Sequence, residues 1–132
     1  MATCNHREAT MKTIPLLCLS LLLCGCGQGK STEMLIKDMQ SREVSVKLEA
    51  IRALAAMRSE AAVVVPELTK ALRDENTAVR RDAAQALGNL GADARPAIPQ
   101  LVPLLEDKNV RVRRVAALAI QRIDPARTAK RK

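Results

Sequence analysis

The chain has 132 residues, with 22 basic and 14 acidic side chains for a formal charge of +8, and it contains no Phe, Tyr or Trp. That length excludes a large multidomain enzyme, and the missing aromatic residues remove the usual platform for stacking bases. Its one histidine is His6, and its four cysteines (Cys4, Cys18, Cys24 and Cys26) all fall within the first 26 residues, so the remainder has neither an imidazole nor a thiol with which to build a catalytic or metal centre.

Upstream of the rest of the chain, Met11-Lys12-Thr13 stands ahead of Ile14 to Leu23, a stretch that is almost wholly apolar, followed by Cys24-Gly25-Cys26-Gly27. A basic start, a short apolar core and small residues at the end are the order of a signal peptide. The apolar stretch is shorter than the ~20 residues a helix needs to span a bilayer. Met11 is the more natural start than Met1, and residues 1–10 then lie upstream of the translated protein. Leu23-Cys24-Gly25-Cys26 resembles the bacterial lipobox. That resemblance implies lipid transfer to Cys26, cleavage before it, and a chain anchored to a membrane of the bacterial cell envelope, on the periplasmic face or the cell surface. Cys24 is the poorer acceptor because Leu23 before it is large, and a Cys at the second position of the box departs from the pattern; plain secretion is the alternative. Residues 1–25 are read as signal peptide and 26–34 as lipidated Cys and flexible tether.

Gly29-Lys30-Ser31-Thr32 imitates the end of a phosphate-binding loop, but Cys24 stands where the full motif requires another Gly. No strands follow to form the sheet that such a loop needs. No cofactor and no metal is expected.

From Leu35 onward the sequence repeats every 33 residues. Leu68, Leu72, Asp74, Asn76, Val79, Arg80, Arg81, Ala83, Ala84 and Ala86 recur at Leu101, Leu105, Asp107, Asn109, Val112, Arg113, Arg114, Ala116, Ala117 and Ala119. A fainter copy precedes them, with Leu35, Val46, Ala50, Ala53, Leu54, Ala61 and Pro66 standing over Leu68, Val79, Ala83, Ala86, Leu87, Ala94 and Pro99. The units are 35–67, 68–100 and 101–132. Apolar residues three and four apart, broken by turn residues at fixed places, make each unit a helical hairpin. The spacing predicts helices over 33–40, 44–58, 63–73, 77–90, 97–106 and 110–122. Asn76 and Asn109 are N-caps, and Gly88 with Gly91 loosens the end of the second helix in unit two. Paired short helices bury no core alone, so the units stack into an all-α solenoid, an α-α superhelix, for which about three units is the minimum.

The residues Asp74 with Arg80 and Asp107 with Arg113 give the unit a family likeness: it resembles a HEAT repeat, in the short form found in phycobilin-lyase-like HEAT proteins. The resemblance implies that an Asp in the turn between the helices and a basic residue six positions later join in a hydrogen-bonded ladder along the stack. Unit one departs from it, because Ser41 replaces the Asp while Lys47 keeps the basic column, as in a degenerate cap. Tetratricopeptide and ankyrin units are excluded by composition. The His-Glu pairs of the iron-dependent HEAT-like hydroxylases are absent, so that activity does not transfer.

Charge is uneven along the stack. Residues 1–107 balance 13 basic against 13 acidic side chains, whereas 108–132 set nine basic ones against Asp124 alone. On the outward side of the second helix, Glu49 and Arg52 in unit one and Asp82 and Gln85 in unit two give way to Val115 and Leu118 in unit three. Packing under the tail and exposure to a partner both account for that change. Arg111, Arg114, Val115, Leu118 and Arg122 are the candidate partner-binding surface. The chain is read as a non-catalytic, membrane-tethered scaffold for an unidentified protein, with self-association through the C-terminal repeat possible. An accessory or chaperone-like enzyme subunit, or a lyase-type HEAT protein, is the alternative. Nucleic acid is disfavoured by the missing aromatic residues and the export signal.

Overall fold

The computed structural model describes residues 30–126; the signal peptide, Cys26 and the basic residues of 127–132 lie outside the described residues. Among those described no strand occurs, and the α-helices are α1 Thr32–Met39, α2 Val44–Ala55, α3 Ala61–Ala71, α4 Thr77–Leu90, α5 Ile98–Leu101 and α6 Val110–Ile123. Tighter 3₁₀ turns at Arg58–Glu60, Gly91–Ala97 and Val102–Glu106 join or extend them. The protein is an all-α helical-repeat fold. Its second helices pack in the order α2, α4, α6, and its first helices line the other side, with α3 against the Gly91–Ala97 turn.

Three helix starts are capped by a side chain. Ser31 accepts a hydrogen bond from the Met34 N–H to open α1. Asn76 accepts from the N–H groups of Ala78 and Val79 to open α4, and Asn109 from that of Arg111 to open α6. Lys30 turns back to pair with Asp38 at 2.7 Å, so the Lys-Ser-Thr that imitates a phosphate loop is taken up in starting a helix. The core is Leu, Ile, Val and Ala, with Ile51, Leu54, Leu68, Leu72, Leu87, Leu90, Leu101 and Ile123 its largest fully buried members.

Three helix readings need correction. The helix expected over 97–106 is a single α turn at Ile98–Leu101 flanked by 3₁₀ geometry. Pro103 has no N–H to offer Pro99, four residues earlier, and its ring crowds that carbonyl, which favours the break into 3₁₀ geometry seen here. The second helix of unit one stops at Ala55, and the helix expected over 63–73 is Ala61–Ala71, which crosses the boundary between residues 67 and 68 and has Pro66 inside it. Gly88 does not loosen α4. It is buried in regular helix, and a Cβ built there would meet the Ala119 Cα at 3.0 Å and its Cβ at 3.1 Å, so the missing side chain lets α6 close on α4. Gly91 alone ends the helix, at φ +64° and ψ −133°, a conformation strained for any residue with a Cβ.

Candidate partner-binding surface and the charged ladder

The turn between the helices is built the same way in each unit. Asp74 Oδ1 accepts from the Asn76 N–H at 2.8 Å, and Asp107 Oδ1 accepts from the Asn109 N–H at 2.8 Å. In unit one Ser41 Oγ accepts from the Glu43 N–H at 3.1 Å, so the hydroxyl keeps the turn while giving up the charge.

The carboxylates then reach between units. Lys47 donates to Asp74 Oδ2 at 2.6 Å, and Arg80 donates through Nε and Nη2 to Asp107 Oδ2 and Oδ1 at 2.8 and 3.2 Å. Within its own unit Arg80 never touches the Asp74 carboxylate; its Nη1 donates instead to the carbonyls of Asp74 and Glu75 at 2.8 and 2.9 Å. Arg113 repeats the inner half of this pattern, donating from Nη1 to the carbonyls of Asp107 and Lys108 at 2.8 and 3.4 Å. Arg80 thus clamps its own turn and holds the acid of the following unit, whereas Lys47 makes only the contact between units and Arg113, among the described residues, only the contact to its own turn. A fork-shaped guanidinium can do both at once, because it presents five N–H donors in one plane.

Burial makes the inner rung tight, since the Arg80 and Asp107 side chains are only 9% and 10% exposed. The Arg80 guanidinium holds the Asp107 carboxyl below the usual carboxylate range against an opposing effect of burial. For Asp74 burial is the largest influence and acts upward, but the Lys47 hydrogen bond, the Asn76 N–H and the charges of Lys47 and Arg80 together outweigh it and leave the carboxyl low.

Of the candidate surface residues, Arg111, Val115, Leu118 and Arg122 fall at i, i+4, i+7 and i+11 of α6 and share one stripe. Leu118 is 47% exposed, Arg111 and Arg122 are exposed, and Val115 is half-buried against the core. Arg114 is exposed beside the stripe. Arg122 also donates to Asn89 Oδ1 at 3.1 Å and so bridges α6 to α4, while Arg58 donates to the Asn89 carbonyl from unit one at 2.8 Å.

One of the positions taken as outward and polar is not solvated. Asp82 is buried, held by Arg52 at 3.3 Å and by Arg81 at 2.6 Å, because a lone carboxylate between α2 and α4 requires a cation. Around it lies a groove of about 490 Å³ lined by Ile51, Arg52, Ala55, Arg81, Gln85 and Asn89 among others. The sequence reading missed this groove. Its signal is the repeat position at which Ala55 and Ala86 stand over Gly88 and Ala119: Ala55 and Ala86 line the groove between α2 and α4, whereas Gly88 lets α6 approach, and the crevice between α4 and α6 is about 120 Å³.

Among the described residues no group of three or more His, Cys, Asp or Glu is placed to hold a metal ion, and no helix is long and apolar enough to cross a membrane. A family model described as HEAT repeats matches residues 32–121. No curated protein matches the chain.

Proposed function

The chain belongs to the HEAT-repeat family, and from that premise we propose that it is a non-catalytic scaffold, held at a membrane of the bacterial envelope by a lipid on Cys26, which binds another protein through its second helices. The observation that carries the reading is the α6 stripe. Leu118 stands half exposed between Arg111 and Arg122 and lines the α4–α6 crevice, which shares Gln85 with the groove between α2 and α4. An exposed apolar side chain with arginines on either side has the character of an interface centre, where apolar and Arg side chains are enriched. The fold supports the same reading, since stacked hairpins present one extended face built from equivalent positions of successive units.

A photo-crosslinking residue at position 118 tests the binding surface, with the same probe at Val63, an exposed residue of α3, as the comparison. A discrete adduct at 118 and none at 63, lost in an Arg122→Glu chain, is expected; equal labelling at both positions overturns the reading. The tether is tested separately by the intact mass of the mature protein beside a Cys26→Ala chain. A fatty-acylated Cys26 is expected, and an uncleaved, unmodified chain removes the lipid anchor.

A further inference from the structure

We propose that Arg113 is an open rung of the ladder, a preformed carboxylate clamp at the C-terminal end of the stack that receives an Asp or Glu from an interhelical turn of a partner protein. The proposal rests on the reading of the chain as a protein-binding scaffold and names the chemistry of the partner.

The clamp is already half assembled. Arg113 Nη1 is fixed by the carbonyls of Asp107 and Lys108, as Arg80 Nη1 is fixed by those of Asp74 and Glu75. In Arg80 the remaining edge, Nε with Nη2, grips the Asp107 carboxylate. In Arg113 the same edge has no acceptor among the described residues. A guanidinium whose plane is set in advance loses little freedom when a carboxylate docks on it, and the bidentate pair it forms is directional.

The surroundings are those of a face awaiting cover. Ala84 and Leu72 are fully buried in the stack, whereas their counterparts one unit later, Ala117 and Leu105, are exposed and half-buried. Val110, at the start of α6, is 62% exposed. The clamp therefore sits beside bare apolar surface, and the arginines around it favour an acidic visitor.

The chemistry favours a foreign occupant. Residues 127–132 contain no acidic side chain and four basic ones, Arg127, Lys130, Arg131 and Lys132, which the Arg113 guanidinium repels. A second copy stacked head to tail would offer Ser41 where a carboxylate is needed, and its hydroxyl, already engaged by the Glu43 N–H, cannot neutralise a guanidinium. Two copies meeting end to end would set Arg113 and Arg114 against themselves.

The test uses the purified full chain and, as probe, a synthetic peptide of residues 61–90, whose four basic and four acidic side chains cancel and whose turn carries Asp74. Binding is read by fluorescence anisotropy against the same peptide with Asp74→Asn, a change that leaves the chain untouched. The expected result is binding that weakens about tenfold or more with the Asn peptide, the scale of one charge-assisted bidentate pair. Arg113→Gln should weaken the Asp peptide to the same level and leave the Asn peptide unaffected, while Arg111→Gln has a small effect on both. Circular dichroism of the Arg113→Gln chain must match that of the parent for this comparison to count, and the peptide substitution decides the matter where it does not. Equal affinity for the two peptides, equal losses at Arg111 and Arg113, or no binding overturns the clamp and leaves the position-118 crosslink standing. A dimer in sedimentation equilibrium that Arg113→Gln dissociates overturns the choice of a foreign partner.

Discussion

Arg80 and Asp107 are 27 positions apart in the sequence, yet two hydrogen bonds of 2.8 and 3.2 Å join them across the boundary between units two and three. The same Arg80 closes the turn of its own unit through two carbonyls. A side chain that fixes a local turn and a distant carboxylate couples the folding of one hairpin to the docking of the next. In a stack of short hairpins, stability is a sum of unit and interface contributions, so this residue contributes to both.

Removing either partner should therefore be costly. Asp107→Ala strands the buried guanidinium edge, and Arg80→Gln strands the carboxylate; each is expected to destabilise the fold by about 3 kcal/mol, the scale for breaking a buried pair from one side. The urea midpoint measures it, and the double variant should lose much less than the sum of the two, because the second change removes a group already without its partner.

Acid should weaken the stack by the same route. Asp74 and Asp107 are both held below the ordinary carboxylate value in the folded chain. An unfolded Asp titrates near about 3.9, so as the pH falls through that value the unfolded chain takes up protons that the folded chain refuses. The stabilisation is complete above about pH 5 and is lost progressively below about pH 4. Urea midpoints between pH 7 and pH 3 should fall, and Asp107→Asn should flatten the fall.

One chemical exchange should have opposite consequences at two repeat positions. Asp74→Ser keeps the turn acceptor but leaves Lys47 without its anion, at an expected cost of about 1–3 kcal/mol. Ser41→Asp restores the family residue where no unit precedes it among the described residues, and should change stability by no more than about 0.5 kcal/mol. Thermal melts of the two variants check this directly.

Gly88 offers a test of the α4–α6 spacing. Alanine favours a helix interior by about 1 kcal/mol over glycine. Here the added methyl meets the Ala119 backbone at 3.0 Å, and overpacking of this kind costs about 1–3 kcal/mol. Gly88→Ala is expected to lower stability by about 1 kcal/mol net despite its better propensity. A rise in melting temperature would mean that α6 can move away without penalty.

Much of this protein was written in its one-dimensional pattern. The 33-residue period, the capping asparagines and the apolar positions at three and four apart dictated stacked helical hairpins, because a helix must bury one stripe and a hairpin this short can do so only against a neighbour. The column of Lys47, Arg80 and Arg113 and the acids at 74 and 107 were visible as a repeat of charge. The sequence also marked α6 as the odd second helix, where Val115 and Leu118 replace polar residues. Tertiary structure decided what each of these groups does. A fixed offset cannot tell a pair within a unit from one across its boundary, and only the approach of the chains showed that Arg80 passes over Asp74 to hold Asp107. Nor could the pattern distinguish Asp82 as buried from Gln85 as exposed, since burial there depends on the gap between α2 and α4. The missing Cβ at Gly88 lets α6 close on α4, where the crevice is about 120 Å³, whereas the groove between α2 and α4, lined by Ala55 and Ala86, is about 490 Å³.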